Sequence, residues 1–198
     1  MPILLLLLLF PTLVQGELNK PLQQELHMMA AQDQAARKEI GKAGWGKAPK
    51  ELKEKVKKID QANTERLKTI IKKHSWLSKE LVGKEGVGAA FLIIQHSPDT
   101  AFQESMLPYI EKSFLNGDGI SGQQVSLLTD RVLLINGKKQ RYGTQYDVVD
   151  GAIIFKPIKD EKDVDERRAK MQMPPLDFYK KMMEEIHGIK DHPEIDLK

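Results

Sequence analysis

The chain has 198 residues, of which 40% are hydrophobic and 30% charged, and its formal net charge at pH 7 is +3. This composition excludes a multispan membrane protein, which needs long uncharged segments, and a disordered chain, which has too few apolar residues to form a core. The chain contains no cysteine, which excludes disulfide bonds, cysteine-ligated metal sites and thiol nucleophiles.

Residues 1–16 have the pattern of a secretory signal peptide. Leu4–Phe10 is an apolar run without charge, and it is far shorter than the roughly 20 residues that cross a bilayer. A signal peptidase would cut after Gly16. We therefore expect an exported protein, periplasmic or secreted, without stable membrane insertion after cleavage and with one globular domain over residues 17–198. A buried helix or an uncleaved anchor is the alternative.

The mature chain is predicted to be mainly helical, because apolar residues recur at three- and four-residue spacing along most of it. Ser121 and Gln124 have the spacing of a capping box, which marks the start of one helix. The glycine-rich stretch 83–88 is expected to break the chain before a helix that is apolar on every face. The predicted helices are 18–40, 50–73, 89–94, 100 to about 115, 122 to about 135, 164–171 and 176–186.

One β-hairpin is predicted near the C-terminus. Residues 140–147 alternate between polar and apolar side chains, Asp150-Gly151 supplies a tight turn, and residues 152–158 have the composition of a strand. Pro157 indicates an edge strand, since proline lacks the N–H that a central strand donates. The predicted fold class is therefore mainly α (α+β), a helical array with one small C-terminal β-hairpin.

Positive charge is concentrated in one stretch of the chain. Residues 37–79 contain 14 basic and 5 acidic side chains, a local net charge of +9. We favour a solvated, lysine-rich helix face, and the alternative is weak contact with anionic lipid or a cell-wall polymer. Nucleic acid is not an expected partner, because Trp45 and Trp76 leave little aromatic surface in this stretch for base stacking.

Polar side chains interrupt apolar helix faces at several positions. His96 follows Gln95 at the end of the most apolar helix, on the same face as Leu92 and Ile93. An imidazole deprived of water suits a general acid or base, whereas the simpler interpretation is a core histidine bonded to a backbone carbonyl. Gln103 also lies on an inner helix face, so its amide either braces another segment or contacts a ligand.

Asp130 and Arg131 interrupt the apolar run 127–135. Neighbouring helix positions point about 100° apart, so each of the two charges needs its own partner. They predict either a structural ion-pair network or an anion clamp at Arg131, with Asp130 orienting an imidazole.

The segment Tyr142-Gly143-Thr144-Gln145 is the fourth unusual polar group. A glycine inside a strand pattern indicates a bulge or a close approach of the backbone. Thr144 and Gln145 then offer a hydroxyl and an amide to a ligand. An ordinary hairpin strand with its polar face in water is the alternative.

Short motifs follow one another in a distinctive order: Asp33-Gln34 with Arg37, Asn63-Thr64 with Arg66-Leu67, Trp76, Leu81-Val82-Gly83 with Gly86, Gln95-His96, Gln103, Thr129-Asp130-Arg131, Gln140, Tyr142-Gly143-Thr144-Gln145, Pro157-Ile158 with Asp160, Arg167-Arg168 and Pro174-Pro175-Leu176. In this order the chain resembles a bacterial family of unknown function. The resemblance spans nearly the whole mature chain, which implies one domain. Phe91 stands where the family usually has tryptophan, and Ser97-Pro98 follows the histidine. The family implies a polar site but supplies no reaction.

The first functional hypothesis is a pocket protein, a cofactor-independent hydrolase or lyase that acts on a small polar or anionic substrate. His96 and Asp130 are the predicted catalytic residues. No metal or cofactor is expected, since the five histidines lack helical metal-ligand spacing. The alternative is a non-catalytic exported binding or structural module whose polar residues form a core network. The predicted ligand-binding residues are Gln95, Gln103, Arg131, Tyr142, Thr144 and Gln145.

Overall fold

The structure, a computed structural model, describes residues 17–44 and 46–195. This part of the chain contains seven α-helices and one two-stranded antiparallel sheet, which confirms the predicted mainly α fold with a C-terminal hairpin. The predicted signal peptide, residues 1–16, lies outside the described residues. The elements are α1 (Lys20–Ala43), α2 (Lys50–His74), α3 (Lys79–His96), α4 (Thr100–Leu115), α5 (Gly122–Ile135), β1 (Tyr146–Val149), β2 (Ala152–Phe155), a 3-10 turn (Glu161–Asp163), α6 (Val164–Lys170) and α7 (Leu176–Ile186).

Helices α1 to α5 share the main hydrophobic core. Helix α3 packs against α1, α2 and α4, which explains why its sequence is apolar on nearly every side. Complete burial of one leucine or isoleucine side chain favours folding by about 1.5–3 kcal/mol, so the shared core fixes how these helices meet. Each of the five helices contributes a side chain without exposed surface: Leu26, Leu67, Ile94, Ile110 and Leu128.

Side-chain caps set where the central helices begin. The carboxylate of Asp99 accepts a hydrogen bond from the amide of Phe102 at 2.9 Å and starts α4. Only three residues therefore separate the end of α3 from the start of α4. Ser121 and Gln124 form the predicted capping box at α5, with hydrogen bonds of 3.2 and 2.8 Å.

The glycine-rich stretch 83–88 breaks the helical geometry at one residue only, Gly83, with φ of 70° and ψ of 164°. Helix α3 runs from Lys79 to His96 as two helical segments that meet at a kink at this residue. Gly86 and Gly88 stay helical because α3 is packed on several sides, and tertiary packing outweighs their low helix propensity. The prediction of a helix over 89–94 was therefore too short.

The predicted hairpin forms, but both strands are shorter than expected: β1 begins at Tyr146, and β2 ends at Phe155. Strand β1 pairs antiparallel with β2, and positive φ angles of 49° and 73° at Asp150 and Gly151 make the tight turn between them. Residues 140–145 form a loop instead of a strand, apart from an isolated bridge between Gln140 and Ile158. The loop bends at Gly143, where φ is +71°.

The C-terminal helices cover the hairpin. Side chains from the loop after β2 and from α6 and α7 form a separate hydrophobic cluster: Ile158, Val164, Leu176 and Tyr179. The loop bend must approach this cluster closely, since a Cβ atom at Gly143 would lie 2.7 Å from a methyl of Leu176. Among the helices described, none has the length and apolar character required to span a membrane.

Candidate functional site

His96 forms a hydrogen-bonded pair with Asp33. Nδ1 of His96, at the end of α3, lies 3.0 and 2.9 Å from the two carboxylate oxygens of Asp33 on α1. Asp33 keeps only 2% of its surface exposed, whereas the His96 side chain keeps 19%. Because an ionised carboxylate only accepts hydrogen bonds, Nδ1 carries the proton of the neutral ring and Nε2 carries the lone pair. The described residues give Nε2 no hydrogen-bond partner, so this atom is available for proton transfer.

Asp33 stays ionised because of the groups around it. Nε2 of Gln34 donates to one carboxylate oxygen at 2.8 Å, and Nε of Arg37 donates to the other at 2.9 Å. Burial alone would raise the pKa of Asp33, but hydrogen bonds from His96 and Gln34 and the charges of His96 and Arg37 lower this pKa to about 2. Arg37 also donates to Asp60 on α2 at 2.6 Å, and burial raises the pKa of Asp60.

Arg131 on α5 is held by the residue that precedes the histidine. Its Nη1 donates to the backbone carbonyl of Gln95 at 2.8 Å. With the side-chain amide of Gln95 oriented so that its oxygen faces the guanidinium, this oxygen accepts from Nη2 at 2.8 Å and from Nε at 3.3 Å. Gln95, which precedes His96 in the sequence, therefore fixes the guanidinium with two oxygens.

The positive charge of Arg131 is not matched by an acidic group. Both oxygens that bind its guanidinium belong to neutral groups, and within the described residues no carboxylate forms an ion pair with it. Burial, together with the nearby charge of Arg37, lowers the pKa of Arg131, but a guanidinium stays protonated at neutral pH. A guanidinium has five N–H groups, so the three bonds to Gln95 leave two for a ligand. This arrangement suits the binding of an anion.

Gln103 braces the end of α3 and does not face a cleft. Its side-chain nitrogen donates to the carbonyls of Ile94 and Gln95, both at 3.1 Å, and only 1% of the residue is exposed. Of the two roles predicted for Gln103, bracing another segment is therefore the one observed. Since the last four carbonyls of a helix lack intrahelical partners, this amide fixes the turn that carries His96.

Asp130 does not orient the histidine, contrary to the prediction, because its carboxylate is fully buried against the loop 140–145. It accepts hydrogen bonds from the backbone amides of Arg141 at 2.6 Å, Tyr142 at 3.0 Å and Thr144 at 2.9 Å. The Thr144 hydroxyl donates to the same carboxylate at 2.9 Å. The backbone amides of this loop are thereby satisfied without a β-ladder, and the strand begins only at Tyr146.

The two adjacent arginines of α6 also bind this region of backbone. Arg168 has no exposed surface, and it donates to the carbonyls of Tyr142 and Pro174, both at 2.7 Å. Its guanidinium lies 4.8 Å from the ring centre of Tyr179. Arg167 donates to the carbonyls of Arg141 at 2.8 Å and Lys159 at 2.6 Å. Both arginines therefore form a structural network.

An open cleft of about 440 Å³ lies beside Arg131, between α5 and the hairpin. Thr144 and Gln145 line it together with Arg131, whereas Tyr142 is buried and lies outside it. The structure thus bonds Arg131 to Gln95, which precedes His96 in the sequence, and places Arg131 beside Thr144 and Gln145 in the cleft. Gln103, Asp130 and Tyr142 do not line this cleft, although Gln103 donates to the Gln95 carbonyl and Asp130 accepts from the Thr144 hydroxyl.

Sequence reasoning missed the acidic partner of the histidine. Apolar residues at 22, 26, 29 and 36 form the inner stripe of α1. Helical spacing places position 33 on the same stripe, between 29 and 36. An aspartate in such a gap signals a buried carboxylate, which must find a partner. In the described part of the chain, no three His, Asp or Glu side chains meet in an arrangement that could hold a metal ion.

Comparison with known proteins shows the family of the chain. A model of a family of unknown function, DUF6624, matches residues 20–192, and the chain therefore belongs to this family. This result confirms the resemblance to a family of unknown function that the ordered motifs indicate. No curated protein and no solved structure matches the chain.

Proposed function

We propose that this member of the DUF6624 family is an exported, cofactor-independent hydrolase or lyase that acts on a small anionic substrate. The observation that carries the proposal is an unmatched guanidinium, Arg131, bound to the residue that precedes His96, an imidazole that is backed by an ionised carboxylate. The signal-peptide pattern of residues 1–16 supports export to the periplasm or the exterior.

Arg131 supplies the binding part of this function. A guanidinium with two unused N–H groups binds a carboxylate or phosphate oxygen through charge-assisted hydrogen bonds. The adjoining cleft offers the side-chain amide of Gln145 to the polar part of the same ligand. A small anion therefore meets a positive charge and a neutral donor close together.

His96 supplies the chemical part of this function. With Asp33 holding the proton on Nδ1, Nε2 accepts a proton from a water molecule, whose oxygen attacks the ester carbon, or from the carbon next to the anionic group of the substrate, whose electron pair forms a C=C bond. The carboxylate of Asp33 stabilises the imidazolium that forms, and Nε2 then returns the proton to the leaving group as the bond between this group and carbon breaks. Asp33 is a positioning residue in this scheme, since it contacts the base and not the substrate.

The proposal is tested first by binding. We expect acetate and inorganic phosphate, added separately, to shift the side-chain NMR signals of Arg131 and His96 in a saturable manner. Arg131→Gln should abolish the saturable shift, whereas His96→Gln should leave binding within about threefold, because the imidazole does not hold the anion. Arg66→Gln is the matched control, since Arg66 is half-exposed and paired with Glu25.

Turnover then separates binding from chemistry. A panel of small anionic esters and β-substituted carboxylates, followed by proton or product release, should give a substrate for the wild-type protein. His96→Gln should lower kcat by about 100-fold or more with little change in KM, and Arg131→Gln should mainly raise KM. Saturable anion binding that survives Arg131→Gln, or turnover that survives His96→Gln, contradicts the proposal.

The non-catalytic module remains a second candidate because several of the polar residues form hydrogen bonds within the fold. Asp130 accepts four hydrogen bonds from the loop 140–145, and Gln103 donates to two carbonyls of α3. If the polar set is a core network throughout, His96→Gln should lower the free energy of unfolding and leave anion binding and turnover unchanged. The experiments above therefore distinguish the two functions.

A further inference from the structure

A second open cavity lies on the opposite side of α5 from Arg131. Its volume is about 670 Å³, and it is bounded by α5, by the residues that follow this helix, and by the loop after β2. Five basic side chains and one acidic side chain line it: Lys138, Lys139, Arg141, Lys159, Arg167 and Asp160. The cavity is therefore strongly positive.

The lysines of this cavity lack acidic partners. Two lysines nearby in the sequence form ion pairs: Lys156 with Asp147, and Lys170 with Glu166, each at 2.7 Å. Within the described residues, by contrast, none of the three lysines of the cavity forms an ion pair or a hydrogen bond to a carboxylate. Their charges are thus uncompensated around one space.

The walls of the cavity are held in place by hydrogen bonds. Arg167 joins the two sides, since its guanidinium donates to the carbonyl of Arg141 at 2.8 Å and to the carbonyl of Lys159 at 2.6 Å. The backbone of Arg141 is fixed again by Asp130 at 2.6 Å, and its guanidinium lies 5.3 Å from the ring centre of Tyr142. The basic groups are therefore gathered by structure and not only by sequence.

Thr129 gives the cavity an unused polar group. Its hydroxyl oxygen is buried and has no hydrogen-bond partner, and Thr129 lines the cavity. A buried polar atom without a partner costs about 1–3 kcal/mol, which a ligand oxygen or a bound water would offset. This second observation also points to a polar ligand at the site.

The cavity is separate from the site at Arg131. Thr129 and Leu133, four positions apart, lie on one face of α5 and line the cavity. Arg131 lies two positions from each of them and therefore points to the other side of the helix. The described lining residues of the two spaces have no member in common.

We propose that this cavity binds a small ligand with two or more anionic groups. A single carboxylate or phosphate group can contact only two or three of the ammonium and guanidinium groups, and several anionic groups are needed to compensate the rest. The lysine ammonium acts as a point charge and requires no fixed geometry of its partner. Phosphate and carboxylate groups can therefore both bind these lysines. This inference does not depend on the chemistry of His96.

The test is a calorimetric titration of the full mature chain with inorganic pyrophosphate, citrate and inorganic phosphate. We expect saturable binding of pyrophosphate or citrate, at least about tenfold tighter than that of phosphate, with an affinity that falls as salt is raised. Citrate and pyrophosphate together distinguish a carboxylate ligand from a phosphate ligand. The double substitution Lys139→Gln/Lys159→Gln should weaken binding by tenfold or more, on the order of 1.4 kcal/mol.

Two controls decide whether the cavity is responsible. Lys57→Gln/Lys58→Gln removes two exposed lysines from α2 and should leave the affinity unchanged. Arg131→Gln removes the separate anion site and should leave the tighter binding event of pyrophosphate or citrate unchanged, so that failure here is distinguishable from failure of the proposed function. No saturable binding of pyrophosphate or citrate, or an equal loss in both lysine double variants, overturns the proposal. All four lysines are exposed, so these variants are expected to fold, as circular dichroism checks.

Discussion

Asp130 and Arg168 hold the same residue, Tyr142, by its two backbone polar groups. The Asp130 carboxylate accepts from the amide of Tyr142 at 3.0 Å, and Arg168 donates to its carbonyl at 2.7 Å. The two buried charges therefore act through the loop backbone between them. A buried charge is tolerated only when several hydrogen bonds replace its lost hydration, and the loop 140–145 provides them.

The first prediction concerns Asp130. Asp130→Asn should lower the free energy of unfolding by about 2–4 kcal/mol, because an amide nitrogen would face backbone N–H groups that need an acceptor. Urea denaturation at neutral pH measures the change. Asp147→Asn is the control, since Asp147 is exposed and its pairing with Lys156 should contribute no more than about 1 kcal/mol. Equal losses in the two variants would contradict this role for Asp130.

The second prediction concerns the coupling of Asp130 and Arg168. Arg168→Met keeps much of the side-chain volume but leaves the Tyr142 carbonyl without its donor. Since both residues stabilise one loop, we expect the double variant to be less destabilised than the sum of the single variants, by about 1 kcal/mol or more. A double-mutant cycle in urea provides the measurement. Strict additivity would show that the two anchors act independently.

The third prediction is that ionisation of Asp33 makes the free energy of unfolding depend on pH. The pKa of Asp33 is lowered from 3.8 to about 2, so its contribution to stability is complete above pH 4 and is lost as the pH falls through about 2. This shift corresponds to about 2 kcal/mol. We expect Asp33→Asn to remove that much of the rise in the free energy of unfolding between pH 2 and pH 4. An unchanged pH profile in this variant would refute the assignment.

The fourth prediction compares two glycines. A Cβ atom at Gly122 would overlap the backbone carbonyl of Met171, whereas a Cβ atom at Gly88 would meet nothing within 4 Å. Gly122→Ala should therefore destabilise the protein by several kcal/mol, because α5 and the end of α6 must separate. Gly88→Ala should stabilise it by about 0.5–1 kcal/mol, since alanine has the higher helix propensity. Thermal unfolding of both variants shows whether the signs differ.

The sequence predicts elements better than it predicts contacts between them. The capping box at Ser121 and the turn at Asp150-Gly151 are local, so residue types and spacing suffice to locate them. The pairing of His96 with Asp33 joins residues 63 positions apart and depends on how α1 packs on α3. Periodicity states which face of a helix is buried, but it does not state which residue that face meets.

Asp130 illustrates the same limit at shorter range. Its burial follows from the apolar run 127–135, but the choice between a side-chain partner and a backbone partner does not. The loop 140–145 supplies backbone amides only because Gly143 turns it away from strand geometry. A strand pattern interrupted by glycine, next to a helix with a buried carboxylate, is the combination that would have indicated this contact.

The hydrogen bond from Arg168 to the Tyr142 carbonyl can form only late in synthesis of the chain. The two residues are 26 positions apart, so during synthesis the loop emerges well before the arginine that completes it. Until α6 has emerged and docked, the carbonyl of Tyr142 lacks its charged donor. A chain truncated before α6 should therefore be vulnerable to proteases at this loop, even though all five helices of the main core are already present.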